Sequence, residues 1–188
     1  MFIQTEETPN PATLKFLPGR TVMGSGVADF TTPAAAAGSP LAAALFAIDG
    51  VTSVFFGAEF VTVTKSAEKS WQALKPMILG AIMDHFTSGA PLLADGAATA
   101  DNGSDEVNEG IGAEVVAQIK ELIETRVRPA VAQDGGDIIY KGFKNGTVYL
   151  NMRGSCAGCP SSTATLKMGI ENMLRHYIPE VLQVEAVA

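Results

Sequence analysis

The only two cysteines of this 188-residue chain, Cys156 and Cys159, form a C-x-x-C pattern inside the segment RGSCAGCP, residues 153–160. Two thiolates at this spacing can bind one soft metal centre, because the two intervening residues let the backbone turn both sulfur atoms the same way. The two glycines of the segment allow tight backbone geometry, and Pro160 suits the first turn of a helix. The segment therefore predicts a metal-binding loop that leads into a helix. Cys159 is expected at or just before the N-terminus of this helix, whose positive end favours thiolate over thiol.

One chain supplies only half of the sulfur ligands that such a centre usually has. A closed zinc site or an iron–sulfur cluster takes four ligands, and the chain contains no third cysteine. Its two histidines, His85 and His176, lie far from the pair in sequence. The simplest completion is the same loop of a second subunit. Our main hypothesis from this count is a symmetric dimer with one cluster between two C-x-x-C loops.

Composition and charge argue against several function classes. A net charge of −7 and a pI near 4.8 argue against non-specific nucleic-acid binding, and no apolar stretch is long enough to span a membrane. The first seven residues lack the basic and apolar regions of a signal peptide, and their acidity is unlike a mitochondrial transit peptide. No Ser/His/Asp or paired-carboxylate arrangement suggests hydrolysis. With only one C-x-x-C pair, we expect a reducing cytoplasm as the setting of the protein. The charge and the lack of a long apolar stretch lead us to expect no nucleic-acid or membrane partner.

Composition also divides the chain into two domains. Residues 89–108 are rich in small and acidic residues, contain no Lys or Arg, and show no hydrophobic periodicity. This composition is typical of a flexible, extended linker. The sequence therefore predicts an N-terminal domain over residues 1–88, a flexible acidic linker over 89–108 and a C-terminal domain over 109–188.

The N-terminal domain has the pattern of a small α/β-type unit. Ser39 is a candidate cap for a short helix, and Pro76 falls inside a longer helical pattern, which predicts a kink or a late helix start. The predicted elements are strands over residues 1–5, 13–17, 51–56 and 60–64, a long loop over 20–40, and helices over 41–48 and about 71–86.

The C-terminal domain has the predicted order α-β-β-(C-x-x-C)-α-β, which makes the whole chain an α+β protein of two small α/β-type domains. The first helix should end before Pro129, since a residue that precedes proline is pushed out of the α region. Asn145-Gly146 is a strong signal for a two-residue hairpin. The later elements are strands over residues 138–143 and 147–152, a helix over 160–177 and a last strand over 181–187.

Two regions of the chain resemble the Nfu-type (NifU-like) iron–sulfur scaffold and carrier proteins. In the C-terminal domain, RPAVAQDGGD at residues 128–137 and GSCAGCPSS at 154–162 resemble the NifU-like domain. In the N-terminal domain, FIQT at residues 2–5 and TPNPATLKF at 8–16 resemble the Nfu N-terminal domain. The resemblance covers nearly the whole chain outside the linker, with no departure at the two cysteines.

This resemblance implies a function that the spacing alone does not reach. It implies that Cys156 and Cys159 bind a [4Fe–4S] cluster shared between two subunits of a homodimer. It further implies that an upstream assembly scaffold donates the cluster and that apo-proteins receive it, so the chain is expected to be a carrier and not an enzyme. The N-terminal domain is then expected to carry no cofactor and to choose or hold the client proteins.

Three other interpretations of the cysteine pair remain open from the residues themselves. The pair could be two structural thiols in a turn, or a structural zinc site shared across a dimer. It could also be a thioredoxin-like redox pair, which would make the chain a thiol–disulfide oxidoreductase. The segment before the pair argues against the redox role, because it is predicted to be a helix and a hairpin rather than a βαβ unit. The segment Asp134-Gly135-Gly136-Asp137 needs only a tight turn before a strand as its explanation, although its glycines could also lie near the cluster. Ser161, Ser162 and Thr163 need only a first helical turn.

Overall fold

The computed structural model describes residues 1–95, 106–157 and 160–187, except for the side chains of residues 160–162. It combines helices and strands in two compact units, residues 1–100 and 101–188. The predicted α+β class is therefore confirmed. Each unit has its own hydrophobic core, as expected when a chain of this length divides into two small domains.

The N-terminal unit contains a five-stranded antiparallel sheet in the order β1-β2-β5-β4-β3. The side chains of Phe16, Val61 and Val63 are fully buried on its core face, because alternate residues of a strand point to the same side. The strands are β1 (Gln4–Glu7), β2 (Thr13–Leu17), β3 (Ala28–Phe30), β4 (Val51–Phe56) and β5 (Val61–Lys65).

Two helices pack on this sheet, α1 (Pro40–Phe46) and α2 (Trp71–Ser88). The side chain of Ser39 accepts a hydrogen bond from the backbone N–H of Ala42, so the predicted cap is confirmed. Helix α2 begins at Trp71 and includes Pro76, so the prediction of a late start is wrong. Pro76 lies in the second turn of a helix whose buried stripe Leu74, Ile78 and Ile82 packs into the core.

The predicted loop over residues 20–40 contains the short strand β3 and a 3₁₀ helix, Ala35–Gly38. Ala28 pairs with Phe56, and the ring of Phe30 meets the ring of Phe56 edge-on at a centroid distance of 5.2 Å. A three-residue strand is too short to show alternation in the sequence, and the contact that stabilises it comes from a strand about 25 residues later.

The ends of the predicted linker take part in the two units. The hydroxyl of Ser39 donates to the carbonyl of Leu92 (2.6 Å), and the N–H of Ala94 donates to the carbonyl of Gly38 (2.8 Å). At the other end, β6 (Val107–Glu109) pairs in parallel with β7. Residues 96–105 lie outside the described residues, so the flexibility of the linker stays a prediction.

The C-terminal unit contains a four-stranded sheet in the order β6-β7-β8-β9. Strands β7 (Gly136–Lys144) and β8 (Thr147–Gly154) form the predicted antiparallel hairpin. Asn145 and Gly146 have φ angles of 51° and 81°, as a two-residue turn between twisted strands requires. Strand β9 (Gln183–Val187) lies parallel to β8.

The helical segment before the hairpin continues through Pro129, so the predicted end is wrong. It consists of α3 (Ala113–Leu122), a π-helical stretch (Ile123–Val127) and α4 (Arg128–Gln133). The N–H of Arg128 donates to the carbonyl of Ile123, five residues earlier. A π-turn shifts the hydrogen-bond register by one residue, which accommodates a proline that lacks an N–H near the start of the next helical turn.

Helix α5 (Pro160–Tyr177) has the predicted bounds and joins the parallel strands β8 and β9. Ile170 and Leu174 pack into the core of the C-terminal unit, whereas Tyr177 is half exposed and lies under the guanidinium of Arg126. Among the described helices, none combines the length and the apolarity that crossing a membrane would need.

The burial of His85 in α2 predicts a pH-dependent stability of the N-terminal unit. Burial lowers the pKa of His85 below its ordinary 6.5, because desolvation disfavours the imidazolium. The unfolded chain therefore takes up this proton at a higher pH than the folded chain. The contribution of neutral His85 to the free energy of unfolding is therefore fully present above about pH 6.5 and is lost as the pH falls below that value.

Trp71, the one tryptophan of the chain, lies in α2, so its fluorescence reports unfolding of this unit. In urea titrations between pH 7.5 and 5.5, where ordinary carboxylates stay ionised, the free energy of unfolding should decline. The decline should be absent in His85→Gln. An equal decline in the variant would contradict this assignment.

Candidate metal centre

The predicted metal-binding loop connects the end of β8 to the start of α5. The N–H of Ala157 donates to the carbonyl of Gly154 (3.1 Å), which closes a tight turn with Cys156 inside it. Pro160 opens α5, as the sequence predicts. Gly158 and Cys159 lie outside the described residues, so the structure places one of the two predicted ligands, and the role of Cys159 stays a prediction.

Cys156 is buried, with 5% of its surface exposed, and belongs to the core of the C-terminal unit. Its sulfur lies against the backbone at the start of β7. A methyl group added to Gly136 would be 2.4 Å from the Cys156 Sγ, 2.9 Å from the carbonyl oxygen of Arg153 and 3.1 Å from the Cys156 nitrogen. Real side-chain carbons do not approach other atoms this closely, so Cys156 can occupy its position only because residue 136 is glycine.

Burial raises the pKa of the Cys156 thiol to about 12, because desolvation disfavours the thiolate. A hydrogen bond from Ser155 acts in the opposite direction, and the negative charges of Asp134 and Asp137 add to the rise. The sequence expects the helix end to favour a thiolate at Cys159, which lies outside the described residues, so that expectation stays a prediction.

The turn Asp134-Gly135 contacts the cysteine loop directly. The N–H of Ser155 donates to the carbonyl of Gly135 (3.2 Å), and the hydroxyl of Ser155 donates to the carbonyl of Asp134. From the other side, the hydroxyl of Thr163 in α5 donates to the carbonyl of Cys156 (2.9 Å). The loop is thus fixed both to the β7 side and to the helix that follows it.

A buried ion pair fixes the helical segment to the same end of β7. Arg128 donates through Nε and a terminal nitrogen to the two oxygens of Asp137, each at 2.8 Å, and also contacts Glu124 at 2.9 Å. The carboxylates, with the hydrogen bond to Asp137 foremost, raise the pKa of Arg128 despite its partial burial. Asp137 is nearly inaccessible, so loss of Arg128 would leave an uncompensated buried charge.

The sulfur of Cys156 is a suitable ligand for a soft metal, but the described residues supply no complete set of metal ligands. Thiolates are the preferred ligands of iron–sulfur clusters and of zinc. Across residues 1–95, 106–157 and 160–187, no group of three His, Cys, Asp or Glu side chains could hold a metal ion. His176 lies in the last turn of α5, about 24 Å along the helix from Pro160. His85 belongs to the other unit.

A cavity of about 290 Å³ lies elsewhere in the C-terminal unit and does not include Cys156. Its polar side chains have partners: Lys120 contacts Glu106 at 2.6 Å, and the Tyr140 hydroxyl donates at 2.5 Å to Asn108, which is not a lining residue. Desolvation, the larger cause, and the charge of Glu106 raise the pKa of Tyr140 to about 12. These groups already satisfy each other, so we do not assign this cavity a ligand.

Sequence reasoning found the cysteines but missed the residues that hold Cys156. It explained Gly136 by a turn, while allowing that this glycine could lie near the cluster, and it explained Thr163 by a first helical turn. Gly136 instead lies against the cysteine sulfur, and Thr163 binds the cysteine carbonyl across seven positions. A Gly-Gly pair just before a strand was the available signal for a close backbone approach. The sequence holds no local signal for Thr163.

Comparisons with known proteins agree with the resemblance. Residues 3–89 match the family model described as "Scaffold protein Nfu/NifU N terminal", and residues 119–185 match the "NifU-like domain". All 188 residues align with the NFU1 iron-sulfur cluster scaffold homolog, mitochondrial, of Homo sapiens, at 56% identity and over 72% of that protein. NifU-like protein 4, mitochondrial, of Arabidopsis thaliana is 56% identical over 98% of this chain and 65% of its own length.

The chain thus spans between 65% and 72% of the length of these two relatives. Among solved structures, the NifU-like protein of Saccharomyces cerevisiae is 29% identical and covers 50% of this chain and 84% of its own, with a TM-score of 0.44. A TM-score of 0.44 is too low to support an argument, so the family assignment rests on the sequence matches.

The cytoplasmic setting expected from the sequence is wrong by this comparison. Both relatives at 56% identity carry the word mitochondrial in their names. The expectation came from the cysteine content and from the first seven residues. Cysteine content reports the redox state around a protein, and a reducing environment does not identify a compartment.

The contact between Gly136 and Cys156 predicts a coupled effect on stability. Gly136→Ala should destabilise the C-terminal unit by about 1–3 kcal/mol, as is typical of an overfilled core. The cost should be smaller in a Cys156→Ala background, because the nearest clashing atom is then gone. The measurement is hydrogen exchange of the β7 and β8 amides.

Gly169→Ala is the matched control, since Gly169 lies within α5 with no atom near an added methyl. Alanine is the better helix former, so this variant should be neutral or slightly stabilising. If the Gly136→Ala cost were the same with and without the Cys156 sulfur, the sulfur would not be the atom that restricts residue 136.

Proposed function

Because the chain belongs to the Nfu/NifU family of iron–sulfur cluster scaffold proteins, we propose that two copies of it hold one [4Fe–4S] cluster between them and pass it to apo-proteins. Cys156 and Cys159 of each copy supply the four thiolates. The cluster is the cargo of the transfer, so the chain acts as a carrier and not as an enzyme. The observation that best supports this proposal is that one chain contains only two cysteines.

The donor count requires ligands from outside the chain. A [4Fe–4S] cluster is normally held by four cysteines, and this chain has two. The described residues contain no further cluster of ligating side chains. A second copy supplies the missing pair with the same spacing and the same loop, and a two-fold symmetric pair is the commonest oligomer of soluble proteins.

Sharing the ligands between two chains suits a cluster that must be given up. An incoming cysteine of a client can displace one thiolate at a time, since exchange at one ligand leaves the others bound. Separation of the two chains removes half of the ligands together. A site with four cysteines in one chain would lack this second route and would retain the cluster more firmly.

The two units divide the work in this proposal. The C-terminal domain, residues 109–188, receives the cluster from an upstream assembly scaffold and carries it. The N-terminal domain, residues 1–88, contains no cysteine and helps to choose or hold the apo-protein clients. The acidic segment between them, residues 89–108, acts as a linker. The names of the relatives, which describe iron–sulfur cluster scaffolds, support the delivery role.

A thiol–disulfide oxidoreductase is the second candidate function, and one structural feature favours it. Strands β8 and β9 are parallel and are joined by α5, so the cysteine loop does begin a βαβ unit, contrary to the sequence argument against this role. Cys156 argues against it. Reactive redox cysteines are partly exposed and have a lowered pKa, whereas Cys156 is buried and its pKa is raised.

Iron and sulfide analysis of protein prepared without oxygen tests the proposal. The loaded protein should be brown and contain about four iron and four sulfide per two chains. Cys156→Ser and Cys159→Ser should each lose the cluster, because a pair of chains then offers only two thiolates. Lys120→Ala, which removes an exposed cation of the same unit, should load normally.

Two results would contradict the carrier function. Colourless protein with stoichiometric zinc would identify a structural metal site. Protein without metal that forms mixed disulfides with client proteins through Cys159 or Cys156 would identify the oxidoreductase.

A further inference from the structure

The position of Cys156 conflicts with its role as a ligand in the proposed function. A cysteine that binds iron needs an open side on its sulfur. Here 5% of the residue is exposed, and the sulfur lies against the Gly136 backbone within the core. To bind a cluster shared with a second subunit, the sulfur would therefore have to leave this inward position.

Two hydroxyl groups fix the backbone of the loop in this inward position. Ser155, of which 2% is exposed, donates its hydroxyl to the carbonyl of Asp134 and its N–H to the carbonyl of Gly135. Thr163 donates its hydroxyl to the carbonyl of Cys156 at 2.9 Å. We refer to these side-chain hydrogen bonds of Ser155 and Thr163 as the Cys156 clamp.

We propose that the Cys156 clamp holds the cysteine buried in the metal-free chain and that its release admits Cys156 to the cluster. Ser155 and Thr163 are positioning residues for cluster loading. This inference rests on the proposed function for its purpose, but the clamp itself is a property of the metal-free chain. On loading, the S–H bond of Cys156 is replaced by an S–Fe bond and its proton leaves to solvent.

The hydrogen bonds and charges around Cys156 explain why it can move from the buried position to an outward one. Each clamp bond joins a hydroxyl to a backbone carbonyl, and a single hydrogen bond of this kind contributes little net stability. In the buried position the thiol shares a hydrogen bond with Ser155, and the negative charges of Asp134 and Asp137 disfavour a thiolate there. Iron–thiolate bonds, which form only in the outward position, can therefore shift the equilibrium toward that position.

Thiol labelling of metal-free protein tests the clamp without any cluster. In a Cys159→Ser background Cys156 is the sole thiol, so its rate of reaction with methyl methanethiosulfonate can be compared with that of the unfolded chain at the same pH. Native protein should react at least about tenfold more slowly. Adding Thr163→Val should speed the reaction several-fold, and Thr163→Ser, which keeps the hydroxyl, should restore protection.

Thr125→Val is the matched control, since Thr125 in the π-helical stretch also donates its hydroxyl to a backbone carbonyl, that of Glu121 in α3. It should leave the labelling rate unchanged. Hydrogen exchange of the β7 and β8 amides should stay the same in Thr163→Val, which separates a loosened loop from a destabilised domain. Equal labelling of Thr163→Val and its parent, or a native rate equal to the unfolded rate, would overturn the clamp.

A second measurement distinguishes failure of the clamp from failure of the carrier function. In protein with both cysteines, Thr163→Val should take up the cluster faster than the parent during anaerobic reconstitution. Cluster uptake by both proteins at one rate would overturn the clamp and leave the carrier function standing. Protection of Cys156 in a chain that never takes up iron and sulfide would contradict the carrier function and retain the clamp.

Discussion

The contact between the Cys156 sulfur and the Gly136 backbone is the constraint on which the C-terminal unit depends. It joins the end of the hairpin to its beginning, because residue 136 starts β7 and Cys156 follows β8 directly. The ion pair of Arg128 with Asp137 fixes the helical segment at the same place. A predicted cluster ligand is thereby part of the hydrophobic core, so substitution of Cys156 changes core packing as well as the candidate site.

Much of the fold could be predicted from local signals. The Asn145-Gly146 turn, the Ser39 cap and the span of α5 depend on residues within a few positions of one another, and all three are confirmed. Strand β3 and the continuation of the helix through Pro129 could not be predicted in the same way. Strand β3 depends on pairing with a strand distant in sequence, and the continuous helix depends on a π-turn. Neither feature leaves a periodic pattern in the sequence.

The candidate site, too, could be predicted only in part from local sequence signals. The spacing of Cys156 and Cys159 is enough to predict a metal-binding pair, because the main requirement for such a pair is two sulfur atoms at this separation. The burial of Cys156 could not be predicted, since it depends on Gly136 twenty positions earlier and on a hydroxyl beyond the loop. Burial also raises the pKa of the Cys156 thiol, because desolvation disfavours the thiolate.

Ligand number is the central claim: each chain brings two of the four thiolates that one [4Fe–4S] cluster requires. Native mass spectrometry of anaerobically loaded protein tests this claim most directly, because it counts chains and inorganic atoms in one species. The account predicts a species of two 19.6 kDa chains with a single cluster. A loaded species of one chain, with no external thiol bound, would contradict it.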